Sequence, residues 1–401
     1  MLKRFSFLVS KRRIYLDYAS LTPIDPRVER EVSKYSSGEF ANPSSLYAEG
    51  VAAKKALADA RKKVADFIHA HPDEIIFTSG GTEANMLALE GVVRAARKAG
   101  MAKPHIVISA IEHSSIIETA RMMEKHGCEV TRISVDKTGV VSVDEIKKAI
   151  KENTILISIM TVNNETGAKQ PIREIAKVVR QFKKVNTTQV QSSIAQYPLF
   201  HTDTAQAALH GELFVEKLGV DLMMLDAGKM YGPRGVGCLY VKRGTPIESI
   251  VYGGGQEAGM RSGTENIPGI MGFAKAVELA GIDLRLSRKV GQPHRLREMM
   301  IDGMKKIRSD ISVNGEGAET SPHILNVSIP GIDNEFFLFQ LDARGIACST
   351  KSSCLRDEDE SYVLRAMGAD SRSSIRFSFG RWTTDRDIRK ALKSIEEILN
   401  K

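Results

Sequence analysis

The sequence predicts an α/β protein with a mainly parallel sheet, followed by a smaller α+β domain. Three observations indicate this fold: strand-like and helix-like segments alternate over the first two-thirds of the chain, the strand-like runs are rich in β-branched residues, and the pattern changes after about residue 275. Continuous apolar strands separated by helices are typical of a parallel sheet covered by helices on both faces.

Each element of the first part follows from a local pattern. Residues 48–70 have apolar side chains at three- and four-residue spacing, which predicts a helix. Ser142 and Glu145 predict a capping box at the start of DEIKKAI. The further elements are, in order, strand EIIFTS, helix EANMLALEGVVRAARKAG, strand HIVIS, helix SSIIETARMMEKHG, strand EVTRIS, helix DEIKKAI, strand TILISIM and helix PIREIAKVVRQFKK. Residues 186–198 are polar and poor in charge, and indicate a surface insertion.

The last part of the chain mixes helices and strands in a different order. It contains the predicted helices GFAKAVELAG and HRLREMMIDGMKKIRS, strand HILNVSIP, helix EFFLFQLDARG, strand SIRFSF and helix DRDIRKALKSIEEILN. This order predicts a smaller α+β domain.

Composition excludes some classes of protein. With 401 residues, 42% apolar and 26% charged, the chain can form two domains with a substantial core. No run approaches the roughly 18 apolar residues of a membrane span, so no membrane association is expected. The net charge is +8, but MLKRFSFLVSKRR carries five basic residues and no acid. The body is therefore only mildly basic, and no direct nucleic-acid partner is expected; the tail could be a transit sequence, a disordered end or a first strand.

The four cysteines do not form a disulfide framework in a chain of this length. Cys128, Cys238, Cys348 and Cys354 show no CxxC or Cys/His spacing, so no metal site is expected. The simplest interpretation is a cytoplasmic enzyme with reduced thiols. Cys348 follows an apolar stretch, and Cys128 and Cys238 lie in HGCEV and GVGCLYV; all three are expected to be buried, where cysteine behaves as a small apolar residue.

A glycine-rich turn links the strand EIIFTS to its helix. In Ser79-Gly80-Gly81-Thr82-Glu83, glycines allow close approach of a ligand and the free amides of a helix start attract anions. A phosphate seat is therefore plausible, although such turns are often only structural. No Gly-Lys-Ser/Thr follows, so this is not a nucleotide P-loop.

An acid and a lysine follow two later strands. Asp203 lies in HTDTAQ and could be a simple helix cap; Lys229 lies in LDAGKMYGPRG, where a lysine could hold a phosphate, hold a cofactor or have no role. Together with the phosphate seat, they match the requirements of pyridoxal 5′-phosphate (PLP), which needs a Schiff-base lysine, an acid at the pyridine nitrogen and a phosphate site.

The chain resembles the cysteine desulfurases of the class V aminotransferase family along nearly its whole length. The matching segments are IYLDYASLTP, NPSSLYAEG, TSGGTEANM, EHSSI, VNNETG, HTDTAQ, GKMYGPRGVG, GGGQEAGMRSGTEN, SSC, SYVLRAMG and SSIRFSFGRWTT. The resemblance implies the PLP-dependent transferase fold of type I. Residues 27–275 would form a large domain with a seven-stranded, mainly parallel sheet, and residues 1–26 and 276–401 a small domain.

The resemblance also implies roles for single residues. Lys229 would bind PLP covalently, Asp203 would face the pyridine nitrogen, Gln206 the ring hydroxyl, and His113 would stack on the ring. The implied cofactor residues are Gly81, Thr82, His113, Asn164, Asp203, Gln206, Lys229 and, from the other subunit of a homodimer, Thr264. Asn164 and Arg376 would hold the substrate carboxylate, for which a planar guanidinium is well suited.

The implied catalytic residues are Lys229, His113 and Cys354. Lys229 would remove the Cα proton of L-cysteine, and the Cys354 thiolate, in a loop over about 348–361, would take the sulfur as a persulfide. Alanine is released, and the sulfur passes to an acceptor protein, either an iron–sulfur scaffold or a carrier for tRNA thiolation. Lys351 and Arg356 would favour the Cys354 thiolate, whereas the acids at 357–360 would oppose it.

The chain departs from the family pattern beside the lysine. The family has Ser-x-His-Lys, whereas this chain has Asp226-Ala-Gly-Lys229. An aspartate near a phosphate is repulsive unless it points away or is protonated, so weaker retention of PLP, or a compensating donor, is expected. Tyr47 replaces the histidine usual in NPSSxH. The alternatives are a selenocysteine lyase or another class V enzyme, and a catalytically impaired homologue that binds a partner.

Overall fold

The fold was analysed in a computed structural model, which describes residues 13–187, 197–285, 291–350 and 360–400. The basic tail, most of the polar insertion and Cys354 lie outside these residues. None of the helices in the described ranges is long and apolar enough to cross a membrane.

The strands and helices agree closely with the predicted pattern. The strands are β1 (Ile14–Tyr15), β2 (Ile75–Thr78), β3 (His105–Ser109), β4 (Glu129–Ile133), β5 (Thr154–Ser158), β6 (Leu199–Asp203), β7 (Leu222–Asp226), β8 (Gly237–Val241), β9 (Ser312–Val313), β10 (Ile324–Ser328), β11 (Ile346–Ala347) and β12 (Ser374–Ser378). The helices are α1 (Pro26–Ser33), α2 (Ala48–Ile68), α3 (Gly81–Lys98), α4 (Ser114–Lys125), α5 (Val143–Ala149), α6 (Ile172–Thr187), α7 (Val215–Leu218), α8 (Ile267–Arg285), α9 (Gly291–Ile307), α10 (Asn334–Ala343), α11 (Tyr362–Ala366) and α12 (Asp385–Leu399).

The central sheet has seven strands in the order β2-β8-β7-β6-β5-β3-β4. Only β8 is antiparallel to its neighbours, and all other pairs are parallel. Apolar clusters cover both faces; one includes residues of α2, α6 and α8, and the other residues of α3 and α4. The predicted seven-stranded, mainly parallel sheet is therefore confirmed, and the continuous apolar strands are explained by burial on both faces.

A second, smaller core lies in the last part of the chain. The antiparallel sheet β12-β10-β9 and the parallel pair β1-β11 contribute to an apolar cluster with residues of α9, α10 and α12. The N-terminal strand β1 thus joins an element more than three hundred residues away in sequence. The exact domain boundaries given above remain a prediction.

Helix α5 begins with only part of the capping box that the sequence predicts. Ser142 caps it, with the Ser142 hydroxyl accepting from the Glu145 amide at 3.3 Å. The Glu145 carboxylate does not return to the Ser142 amide and instead pairs with Lys148 at 2.8 Å. Half of the predicted capping box forms, because a basic residue one turn away competes for the acid.

Candidate active site

The candidate site lies at the carboxyl ends of the parallel strands, where such sheets bind ligands. The chain leaves β3 toward His113 and β5 toward Asn164, while Asp203 and Asp226 are the last residues of β6 and β7. Because β3, β5, β6 and β7 are neighbours in the sheet, these four loops surround one space.

That space is a cavity with an empty volume of about 770 Å³, part of which is open to solvent. The residues predicted from the sequence that line it are Gly81, Thr82, His113, Asn164, Asp203, Gln206, Lys229 and Arg376. Residues that are far apart in the chain therefore come together around one cavity.

Lys229 is presented by a tight turn, Ala227–Lys229, that follows β7 directly. Asp226 stabilises the turn by accepting from the Gly228 amide at 2.7 Å. The Lys229 amine donates to the carbonyl oxygens of Ala19, at 3.0 Å, and of Ser20. These contacts hold the amine at the wall of the cavity.

Asp203 is buried and held by two donors. Its carboxylate accepts from the Asn85 side-chain amide and from the Ala205 backbone amide, both at 2.9 Å. Asn85 also donates to the Ser115 hydroxyl at 2.9 Å, and Ser115 lies 2.9 Å from His113 Nδ1. A continuous hydrogen-bond network therefore fixes the acid and the histidine relative to each other.

Gln206 is oriented by the buried histidine His323, which in turn contacts His210. Its amide nitrogen donates to the Ala19 carbonyl at 2.9 Å, and its oxygen lies 3.1 Å from His323 Nε2. The His323 ring stacks on His210, with centroids 3.9 Å apart. Burial lowers the pKa of His210 to about 4 and that of His323 well below its ordinary value. Both rings are therefore neutral near pH 7.

Arg376 is almost completely buried, with 1% of its surface exposed. Its guanidinium donates to the Asn164 carbonyl and Asp17 at 2.8 Å and to the Ser20 hydroxyl at 2.7 Å. Within the described part of the chain, Arg376 Nε and Asn164 Oδ1 have no hydrogen-bond partner although both are buried. Buried polar groups normally have partners, so these two atoms indicate a ligand that completes the site.

Glu112 lies beneath the cavity and precedes His113. Its carboxyl accepts from the Ser109 hydroxyl and, at 3.0 Å, from the Met160 amide. Complete burial, opposed by these hydrogen bonds and reinforced by the charge of Asp203, raises the pKa of Glu112 to about 8. Glu112 is therefore mostly neutral at pH 7 and adds little negative charge near Asp203.

The opposite end of the cavity is formed by the start of α3. The amide of Gly81 donates to Asp226 at 2.9 Å, whereas the Thr82 amide and hydroxyl make no hydrogen bond with the described residues. Asp226 thus points toward the predicted phosphate seat. The sequence alternative that it points away is wrong, since its carboxylate bridges two backbone amides.

Two predicted residues lie elsewhere. Thr264 is exposed and lines a separate depression with Ser79 and Glu257, and Cys354 lies outside the described residues. Cys128 and Cys238 are buried as predicted. Cys348 was expected to be buried but keeps part of its surface exposed, although desolvation still raises the pKa of its thiol.

Sequence reasoning missed several residues of the network. Asn85 lies three residues after Thr82 in α3, so helical spacing places both on one face and could have identified it. Asp17 and Ser20 lie within IYLDYASLTP, and nothing in that segment alone predicts a role for them. Nothing in the local sequence indicates that His323 reaches Gln206, because the two residues are 117 positions apart in the chain.

Comparison with known proteins identifies the family. The family model described as "Aminotransferase class-V" matches residues 14–391, and the chain belongs to this family. The chain is 39% identical to "Cysteine desulfurase IscS" of Dictyoglomus turgidum over 98% of this chain and 95% of that protein. It is also 39% identical to "Cysteine desulfurase IscS" of Methanosarcina thermophila, over 97% of this chain and 93% of that protein.

Solved structures show the same fold. A structure titled "NIFS-LIKE PROTEIN" matches with a TM-score of 0.87 and 33% identity, covering 97% of this chain and all of the other. A structure titled "SspA in complex with cysteine" matches with a TM-score of 0.75 and 30% identity, covering 92% of this chain and all of the other. Members of the family use PLP, and the residues of the cavity can be compared with the groups that bind its ring and its phosphate.

The ring end of the cavity fits PLP. Asp203, Gln206, His113 and Lys229 surround one space, and Asn85, whose buried Oδ1 has no partner among the residues that the structure describes, lies in the same wall. At the phosphate end, Thr82 offers two donors, but Asp226 already binds the Gly81 amide. The site is therefore suited to the ring and altered at the phosphate.

Proposed function

We propose that the protein is a PLP-dependent cysteine desulfurase. It would convert L-cysteine to L-alanine and retain the sulfur as a persulfide on Cys354. One observation carries the proposal: a single cavity brings together the Lys229 amine, the Asp203 carboxylate and the Arg376 guanidinium. The curated relatives named as cysteine desulfurases, which match nearly the whole chain, support it.

Four residues would hold the cofactor ring. Lys229 would bind it covalently, Asp203 would keep the proton on the pyridine nitrogen, His113 would cover one face, and Gln206 would donate to the ring hydroxyl. The Asn85 side-chain amide and the Ala205 backbone amide fix the position of the Asp203 carboxylate, which would accept from the protonated pyridine nitrogen. When bound, PLP supplies an electron-accepting ring that stabilises negative charge at the substrate Cα.

The substrate carboxylate would bind at Arg376. The Arg376 Nε–H is the donor left without a partner among the described residues, and the Asn164 side chain lies in the same wall. Asp17 and Ser20 hold the guanidinium in place, so the arginine is preorganised for this contact. An amino acid bound here by its carboxylate would share the cavity with the Lys229 amine, which would act as the base at its Cα.

Sulfur transfer requires a thiolate that can reach the bound substrate. The Cys354 thiolate would attack the substrate sulfur, so that an S–S bond forms as the substrate Cβ–S bond breaks. The electron pair of the broken bond stays with the substrate carbon, which is protonated to give alanine. The persulfide then passes to an acceptor protein, for which iron–sulfur cluster assembly is the proposed destination.

We include a homodimer and a cytoplasmic location in the proposal. Thr264 lies away from the cavity of its own chain and is exposed, which suits a contact with the phosphate in a second subunit. An active site that needs both subunits would be lost on dilution to monomers.

The proposal is tested by incubating the purified protein with PLP and L-cysteine. We expect alanine, sulfide in the presence of reductant, and an added mass of about 32 Da, one sulfur atom, on the Cys354 peptide. Cys354→Ala should abolish sulfide release but keep the absorbance of bound cofactor, while Cys128→Ser should keep both. Alanine formation at an unchanged rate in Cys354→Ala, or a preference for selenocysteine without persulfide, would contradict the proposal.

A further inference from the structure

The carboxylate of Asp226 joins two parts of the site that are far apart in sequence. One oxygen accepts from the Gly81 amide at 2.9 Å, at the start of α3, and the other accepts from the Gly228 amide at 2.7 Å, beside Lys229. The chain thus places its own anion at the helix start and ties it to the lysine turn. A negative charge at this position is stabilised by the helix dipole.

The two groups that hydrogen-bond this carboxylate are backbone amides, which carry no full positive charge to offset a second anion. Glu83, in the first turn of α3, pairs with Arg261 at 2.8 Å, so that guanidinium is already neutralised. Asp226 forms no ion pair within the described ranges. A phosphate placed here would meet a carboxylate of like charge and would compete with it for the Gly81 amide.

A second observation shows that the helix start belongs to a built site. Asn85, one turn further along α3, is fully buried, and its Oδ1 has no partner among the described residues. Asn85 lines the same cavity as Thr82, Asp226 and Lys229. The start of α3 with Gly81 and Thr82, here called the anion end, is therefore continuous with the ring end that fits the cofactor.

We propose that Asp226 takes over part of the structural role of the cofactor phosphate. Before any cofactor binds, its carboxylate already holds α3 and the lysine turn together, so the phosphate adds less to binding and is partly repelled. The protein should therefore distinguish only weakly between PLP and its unphosphorylated form, pyridoxal. This inference rests on the proposed function, because it assumes that Lys229 binds the pyridoxal aldehyde.

The test compares the binding of PLP and pyridoxal to the full-length protein after removal of its cofactor. Dissociation constants are measured from the absorbance of the lysine-bound ring. In the wild type we expect PLP to bind less than about tenfold more tightly than pyridoxal. This selectivity is read without any variant, so it does not depend on the folding of one.

Asp226→Asn keeps the shape of the side chain and one acceptor oxygen but removes the charge. We expect it to tighten PLP about tenfold or more, because like charges in contact are costly, and to change pyridoxal binding by less than about threefold. Asp144→Asn is the matched control: Asp144 is an exposed acid in the first turn of α5, away from the cavity. That variant should leave both dissociation constants unchanged.

Two results would overturn the inference and are distinguishable. If the wild type binds PLP a hundredfold or more tightly than pyridoxal, and Asp226→Asn leaves this ratio unchanged, the inference is wrong while the proposed function stands. If neither aldehyde gives a lysine-bound absorbance band in the wild type, the inference fails together with the proposed function.

Discussion

The two ends of the cavity differ in how their polar groups are satisfied. At the ring end, Asp203 and Arg376 are buried, and each is held by at least two hydrogen bonds from surrounding residues. At the anion end, Thr82 is exposed, and the Gly81 amide is bound by a carboxylate of the chain itself. The ring end therefore needs a ligand to complete its hydrogen bonds, whereas a carboxylate of the protein already satisfies part of the anion end.

Under the proposed function, this difference would allow the site to keep its chemistry while its cofactor anchor changes. Catalysis needs the lysine, the acid and the carboxylate site in fixed geometry, and each is supported by neighbours on several elements. The phosphate takes no part in bond breaking, so its binding energy can be replaced by a protein contact without changing the reacting groups.

The largest effect is expected for Lys229→Ala, which removes the reacting group of the ring end. Steady-state sulfide release from L-cysteine should fall by about a thousandfold or more, since both covalent attachment and the proton transfer are lost. The absorbance of the covalently bound ring should also disappear. Lys217→Ala, at a surface lysine paired with Glu212, is the control and should behave as the wild type. If Lys229→Ala kept activity within tenfold of the wild type, Lys229 would be neither the covalent attachment point of the cofactor nor the group that transfers the proton.

A smaller effect is expected for Arg376→Lys. A lysine keeps the charge but loses the planar fork and the Nε donor, so the KM for L-cysteine should rise by about 30- to 100-fold. The kcat should change less, because the carboxylate contact is present before and during reaction. Arg372→Lys, at an exposed arginine in the preceding turn, serves as control. A fall in kcat with unchanged KM would instead contradict the binding of the substrate carboxylate by Arg376 before reaction, and thermal denaturation of the variant tests whether the fold is affected.

The same comparison explains what could be predicted from the sequence. The strands and helices of the central sheet follow from apolar runs and spacing, and Asp203 and Lys229 fall at strand ends where the sheet brings them together. These positions are determined by local pattern plus the rule that parallel strands share an edge for ligands.

Other contacts could not be predicted, because they join residues that are distant in sequence. The bond from Gly81 to Asp226 crosses 145 residues, and the sequence offered only the alternatives of repulsion, protonation or a carboxylate that points away. The half-formed capping box at Ser142 failed for a different reason, since Lys148 competes for Glu145. Local motifs indicate which groups can interact, whereas the fold decides between competing partners.

The smallest effect is expected for the pH dependence of stability, to which Glu112, a second acid near Asp203, contributes. The pKa of Glu112 rises from 4.5 in the unfolded chain to about 8 in the folded protein, so between these values only the folded state keeps the proton. The free energy of unfolding therefore falls as pH rises through this window. Buried histidines act oppositely but only at lower pH, since burial lowers the pKa of His201 to about 3 and that of His210 to about 4.

Above pH 7 the difference between wild type and Glu112→Gln therefore isolates the contribution of Glu112, because the thiols whose pKa is raised by burial contribute to both proteins. Between pH 7 and 8.5 the wild type should lose about 1 kcal/mol more stability than Glu112→Gln in chemical denaturation, from a slope of about 1.4 kcal/mol per pH unit below the folded pKa. Glutamine keeps the acceptor for Ser109 and Met160, so the variant removes the titration and leaves the contacts. Glu118→Gln, at an exposed residue of α4, should follow the wild type. Parallel pH profiles for wild type and Glu112→Gln would mean that Glu112 is already ionised at pH 7, and Asp203 would then share the ring end with a second buried charge.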